Sequence, residues 1–174
     1  MPSFADRLDA SLEVAGLGAL TVDIACGRDS FVIVDAAALG FAIRTDEARD
    51  LVETGSRVIA AANDQLGFTH PEGAGWDHIS FCQFAGPLTR QENELEGSNA
   101  VVVRPGKTDR SPTGTSCSAR MATLSARGLM GEGDVYRARS IIGSESSVGS
   151  RAPPRLAAGQ PSSRPSLEGL GSPG

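Results

Sequence analysis

Hydrophobic and polar positions along this chain fall into two periods. Leu20, Val22 and Ile24 alternate with Thr21, Asp23 and Ala25, the pattern of a half-buried strand. Residues 31–34 are a continuous apolar run and predict a second, more buried strand. Gly27, Arg28 and Asp29 form a turn between them, so the pair predicts a hairpin. Residues 78–84 (HISFCQF) and 135–142 (VYRARSII) alternate again, and residues 100–103 (AVVV) predict a further strand. Helical spacing occurs twice. Ala48, Leu51, Val52, Gly55, Ile59, Ala62 and Leu66 mark one face of an amphipathic helix, with Thr45 or Asp46 as its cap, Gly67 as its stop, and Asp50, Glu53 and Arg57 on the solvated side. Cys117, Met121 and Leu124, with Ala119, Ala122 and Ala126 among them, mark a second helix that Gly128 stops. Residues 1–12 show no settled pattern, and the polar string GPLTRQENELEGSN reads as a turn or variable excursion. Strands alternating with two helices predict an α/β (α+β) domain.

Composition changes that picture at one end. Hydrophobic residues are 40% and charged residues 21% of 174, enough for one domain with a real core. From Ser146 onward the chain is dominated by Ser, Pro and Gly, with no aromatic and no periodicity, a composition that cannot offset its ordering entropy. The expected organisation is therefore a domain over residues 1–145 and a disordered low-complexity tail over residues 146–174. The net charge of -5 and the 5% aromatic content exclude a nucleic-acid partner. No apolar run is long enough to span a bilayer, and the first residues form no signal peptide. Cys26, Cys82 and Cys117 are widely spaced, form no metal-binding cluster with His, and read as free thiols of a cytoplasmic, soluble protein without a metal.

The chemistry gathers in one stretch, RPGKTDRSPTGTSCSARMATLSARG, residues 104–128. Ser111, Pro112, Thr113, Gly114 and Thr115 make a hydroxyl-rich loop that opens the second helix. Main-chain N–H groups and the positive end of the dipole at such a helix start favour an anion such as a carboxylate. Asp109, a few residues earlier, suits a cation. A ligand that carries both charges a few ångströms apart is an amino acid. Read without that ligand, Thr113 or Thr115 caps the helix and Asp109 stabilises a turn. Cys117 and Cys82 read as core thiols. Gly106, Lys107 and Thr108 lack the earlier Gly of a phosphate-binding loop, since Val101 stands there.

The same string resembles the second active-site motif of the proline racemase family, which includes proline racemases, 4-hydroxyproline 2-epimerases and trans-3-hydroxy-L-proline dehydratases. VAGLGALTVDIACGRDSF, VDAAALGFAI, FAGPL, NAVVVRPGK and SIIGS resemble further landmarks in family order, over roughly residues 2–144. The resemblance implies one lobe of a two-lobed fold, a curved mixed sheet around a central helix, with the site between lobes. It implies cofactor-free chemistry on an imino acid, proline or hydroxyproline, with two residues on opposite faces of the α-carbon. Thr113 falls at the second of these positions, where racemases and epimerases carry Cys. Gly114 and Thr115 would hold the carboxylate and Asp109 the ring ammonium. His78 would contribute to ammonium or ring-hydroxyl binding, or else is a partly exposed strand-end His.

A Thr at that position resembles the dehydratase branch, with epimerase or racemase as the alternative. The family's first motif, Cys or Ser before Gly-His-Gly, has no counterpart: Cys26 is followed by Gly27 and Arg28. The expectation is the second half of a longer enzyme, inactive alone and completed by a missing N-terminal half or in a homodimer. The reading of another class is a non-catalytic truncated remnant. The loss of resemblance after SIIGS favours a reading-frame shift near Glu145 over a natural linker.

Overall fold

The computed structural model describes residues 3–73, 75–103, 107–108, 114–149 and 155–156. Its strands are β1 (Phe4–Val14), β2 (Gly18–Cys26), β3 (Ser30–Asp35), β4 (Phe81–Gln91), β5 (Glu94–Val103), β6 (Lys107–Thr108), β7 (Val135–Arg139), β8 (Glu145–Gly149) and β9 (Arg155–Leu156). Two α-helices, α1 (Ala48–Gln65) and α2 (Gly114–Ala126), join them. All strands belong to one sheet in the order β8-β7-β5-β4-β3-β2-β1-β9, with β6 paired to β5. β2 and β3 form the expected antiparallel hairpin. β3 and β4 are parallel, as are β5 and β7. Each parallel pair requires a crossover, and α1 and α2 supply them.

Strand alternation decides which helix lies on which face. Val22, Ile24, Val32, Val34, Phe84 and Val102 share one apolar cluster with Leu51, Val58, Ile59 and Ala62 of α1. Their neighbours Ala25, Phe31, Ile33, Ala85 and Val101 cluster instead with Ala119 of α2. The two helices therefore cover opposite faces. α2 touches β1, β2 and β3 as well as β7, β8 and β9, so strands from both ends of the sheet order reach it. The sheet curves around α2, which is the central helix expected from the resemblance.

Several local expectations change. Residues 1–12 are not patternless: β1 pairs with β2 over nearly its whole length, but its register shifts between Ala5 and Arg7 and between Arg7 and Ala10, with Asp9 at φ 54°. That irregularity breaks the alternation a sequence reading depends on. The polar string at residues 86–99 is not an excursion. β4 runs on to Gln91 and turns through Glu92, at φ 54°, straight into β5. Its polarity reflects exposure of the hairpin's end. Neither Thr45 nor Asp46 caps α1. A short 3-10 turn, Thr45–Glu47, precedes the helix, and the Glu47 carboxylate accepts from the Ala42 and Arg44 amides at 3.0 and 3.2 Å. β8 crosses the 145/146 boundary and pairs with β7, and β9 pairs with β1. The rest of the tail lies outside the described residues. Among the described residues no helix is long and apolar enough to cross a membrane.

Candidate active site

α2 begins at Gly114, directly after the hydroxyl-rich loop. Gly114 is exposed, Thr115 is half-buried, and Ser116 and Cys117 are buried. The first turn thus exposes its start while its second half is buried under the curved sheet. Gly114 and Thr115, both expected to hold a carboxylate, stand together in this turn. Asp109 and Thr113, the expected ammonium ligand and catalytic hydroxyl, lie outside the described residues.

What fixes the position of this turn is visible in three contacts. The first is Gly27, in the β2–β3 turn. A Cβ there would collide with the Thr115 carbonyl oxygen, and would stand 2.5 Å from the Ala119 nitrogen and 3.0 Å from Ser118 Cβ. The β2–β3 turn rests backbone to backbone on α2, and only Gly permits it. The second is Asn99 of β5, 1% exposed between the sheet and α2. Its Nδ2 donates to Ser116 Oγ at 3.5 Å and its Oδ1 accepts from the Tyr136 hydroxyl at 3.0 Å. Asn99 therefore ties the first turn of α2 to β7. The third is at the other end of the helix. Arg127 donates to Asp23 Oδ2 at 2.5 Å and Oδ1 at 2.7 Å, and to Asp9 Oδ1 at 2.6 Å. Burial alone would lower the Arg127 pKa; the hydrogen bonds and charges of Asp23 and Asp9 outweigh it and hold the group firmly cationic. Gly128, at φ 75°, ends the helix as expected.

Cys117 is fully buried beside Asn99, and burial pushes its thiol up to about 11. It is protonated at neutral pH and is a poor nucleophile. Cys82 is buried and its thiol is likewise pushed up by burial. Both behave as core thiols.

His78 lies in the segment leading into β4. Its carbonyl accepts from the Ser30 hydroxyl at 2.7 Å, and Ser80 also docks on Ser30. Ser30 pairs with Cys26, next to Gly27, so the His78 backbone stands at the same end of the sheet as the start of α2. Its side chain is 60% exposed and its Nδ1 is 3.8 Å from Asp77. Sequence reasoning placed Gly27 only in a turn and did not pick out Asn99 or Tyr136. Among the described residues no group of His, Cys, Asp and Glu is arranged to hold a metal ion.

Comparison with known proteins agrees with this architecture. The sequence model for proline racemase matches residues 1–172. A hydroxyproline epimerase from Agrobacterium vitis, solved with bound trans-4-hydroxy-L-proline, superposes with a TM-score of 0.79 at 34% identity, covering 87% of this chain and 43% of that one. A probable proline racemase from Agrobacterium radiobacter K84, solved with bound carbonate, gives a TM-score of 0.79 at 33% identity, covering 87% of this chain and 44% of that one. A curved mixed sheet around a central helix is the architecture this chain shares with these proteins. The chain belongs to the proline racemase family. It spans less than half the length of these solved relatives. The match runs past Ser144, through the segment beyond the last of the quoted landmarks.

Proposed function

We propose that this chain provides the carboxylate-binding half of a cofactor-free imino-acid site, and that the complete site dehydrates trans-3-hydroxy-L-proline. The observation that carries the reading is the identity of Thr113 in the sequence, one residue before Gly114, where α2 begins. Gly114 and Thr115 contribute main-chain N–H groups and the positive end of α2 to the substrate carboxylate. Asp109 binds the ring ammonium. A base on the opposite face, from a Cys of the family's first motif, takes the α-proton. The electron pair forms the Cα–Cβ double bond as the 3-hydroxyl leaves as water, with Thr113 hydrogen-bonded to the departing oxygen. The resulting enamine tautomerises to a cyclic imine carboxylate. His78 contributes at the ammonium or ring-hydroxyl side.

Epimerisation would instead need a proton delivered to the second face. A thiol does this far better than an alcohol, whose pKa lies far above neutrality. The second reading, 4-hydroxyproline 2-epimerase, is supported by the relative that binds trans-4-hydroxy-L-proline.

The test is product analysis in deuterated water, with this chain co-expressed with a family N-terminal half that carries its Cys. The expected outcome is a cyclic imine acid from trans-3-hydroxy-L-proline, and a shift of Thr113→Cys toward α-inversion. Asp109→Ala should weaken both reactions. Inversion of 4-hydroxyproline as the main activity of the Thr113 protein would replace the dehydratase reading with the epimerase one.

A further inference from the structure

We infer that the cavity at the far end of α2 binds an apolar monocarboxylate, with the Arg120 guanidinium as its anion anchor. The cavity has a volume of about 710 Å³ and lies between the second half of α2, the start of β2, the end of β3 and the middle of β4. That volume is in the range, about 300–1,000 Å³, of small-molecule sites. Gly114, at the other end of α2, does not line it, and Arg127, beyond the helix's last residue, does. At 1.5 Å rise per residue Arg120 stands roughly 9 Å along the helix from Gly114, and neither Gly114 nor Thr115 lines the cavity, so this is a different site from the one at the helix start.

The walls decide the ligand's chemistry. Leu20, Ile33, Leu39, Leu88 and Leu124 supply apolar surface. Two arginines and three aspartates supply charge. Arg127 is already satisfied by Asp23 and Asp9. Asp23 has both carboxylate oxygens on Arg127, and its Oδ1 also accepts from the Asp9 amide at 2.9 Å. Asp35 is exposed and its Oδ1 accepts from the Ala37 amide at 3.0 Å. Arg120 is the remaining cation. It donates to the Tyr136 hydroxyl and feels the field of Asp23, but among the described residues it has no carboxylate partner, and its Nε is out of water with no hydrogen bond. Burial lowers its pKa from the ordinary guanidinium value, and Tyr136 and Asp23 offset that only in part. A buried charge without a partner is costly, and an entering carboxylate removes that cost. Asp23 and Asp9 are held by Arg127 and Asp35 accepts from the Ala37 amide, so Arg120 is the cation left to meet an entering anion, and one carboxylate is the charge it can neutralise. A single carboxylate on an apolar body fits both the charge and the leucines.

The test uses octanoate, with octan-1-ol as the uncharged comparator, titrated into the 174-residue chain by calorimetry. Saturable one-to-one octanoate binding is expected, with octan-1-ol at least tenfold weaker. Arg120→Gln should weaken octanoate at least tenfold and leave octan-1-ol nearly unchanged. Leu39→Trp, which adds bulk to the apolar wall of the cavity, should abolish both. If Arg120→Gln does not fold, the octanoate to octan-1-ol ratio and Leu39→Trp decide the matter. No saturable octanoate binding, equal binding of the alcohol, or octanoate affinity unchanged by Leu39→Trp would each overturn the proposal.

Discussion

The two helices cover opposite faces of one sheet, and their surroundings differ in kind. α1 buries Leu51, Val58, Ile59 and Ala62 into a broad aliphatic cluster and leaves its other side in water. α2 is wrapped by strands. Its buried residues include Ser116 and Thr123 beside Cys117, Ala119, Met121, Ala122 and Leu124, and Asn99, itself held by Tyr136, reaches Ser116 from the sheet. The α1 face is held by apolar burial, which is non-directional and tolerant of small shifts. The α2 face is held by backbone contact and hydrogen bonds, which fix position. On the proposed function the first turn of α2 meets a ligand, and a helix with that task needs the second kind of support. The first kind supplies the stability that allows buried polar groups on the other face.

Ile59→Ala and Gly27→Ala sharpen this contrast most. Ile59 is fully buried under α1, and its truncation should cost about 2–4 kcal/mol in denaturant unfolding. Hydroxyproline binding by the surviving folded protein should be unchanged. Gly27→Ala places a methyl against α2 backbone, which has no side chain to rotate away. Overpacking of this sort costs about 1–3 kcal/mol, and here the upper end is expected. Unlike Ile59→Ala, it should also displace the first turn of α2 and abolish carboxylate binding, read by calorimetry on folded protein.

Asn99→Ala comes next. It leaves the Ser116 and Tyr136 hydroxyls without their bridge in a dry interior, at about 1–3 kcal/mol. Binding should weaken along with stability. Gly55→Ala is its counterpart on the other face. A Cβ at Gly55 would stand 2.7 Å from Val102 Cγ2 and 2.9 Å from Val102 Cβ. The clash opposes a gain of about 1 kcal/mol in helix propensity, so the net loss should be about 1 kcal/mol, with binding intact. Loss of binding in Gly55→Ala, or its retention in Gly27→Ala, would break the division between the two faces.

The smallest effect is expected at Asp6 on β1. Burial raises its pKa above 3.8, against a weaker opposing effect of Arg7. A raised folded pKa contributes stability below the unfolded value of 3.8 and loses it as pH rises through the folded value. Asp6→Asn should therefore raise Tm slightly at pH 7 and give no gain below pH 3.8. A gain that persists at low pH would show that ionisation of Asp6 is not its cause.

The legible parts of this fold were those with one dominant period. α1 has a single apolar face, so Leu51, Gly55, Ile59 and Ala62 could be read directly. The β2–β3 hairpin was legible from alternation followed by a buried run. β1 was not, because the shifts around Arg7 and Asp9 move side chains between faces partway along the strand. The β4–β5 hairpin was hidden by its exposed polar tip. At the site, Gly114 and Thr115 stood out because a Gly/Thr-rich loop before small helical residues has a physical consequence of its own. The groups that hold them in place did not. Arg127 and Asp23 are 104 positions apart, and Asn99 and Ser116 are 17 apart. Nothing local in the sequence marks such pairs, since their meaning arises only when the sheet closes around α2.

The central claim is that the start of α2 receives a substrate carboxylate. Amide chemical shifts of the isotopically labelled chain, followed through a titration with trans-3-hydroxy-L-proline and separately with its carboxamide, test it directly. The account predicts saturable shifts centred on Gly114 and Thr115 with the acid and none there with the carboxamide, because only the carboxylate is drawn to the positive end of the helix. Equal shifts with both ligands, or shifts that leave Gly114 and Thr115 untouched, would contradict it.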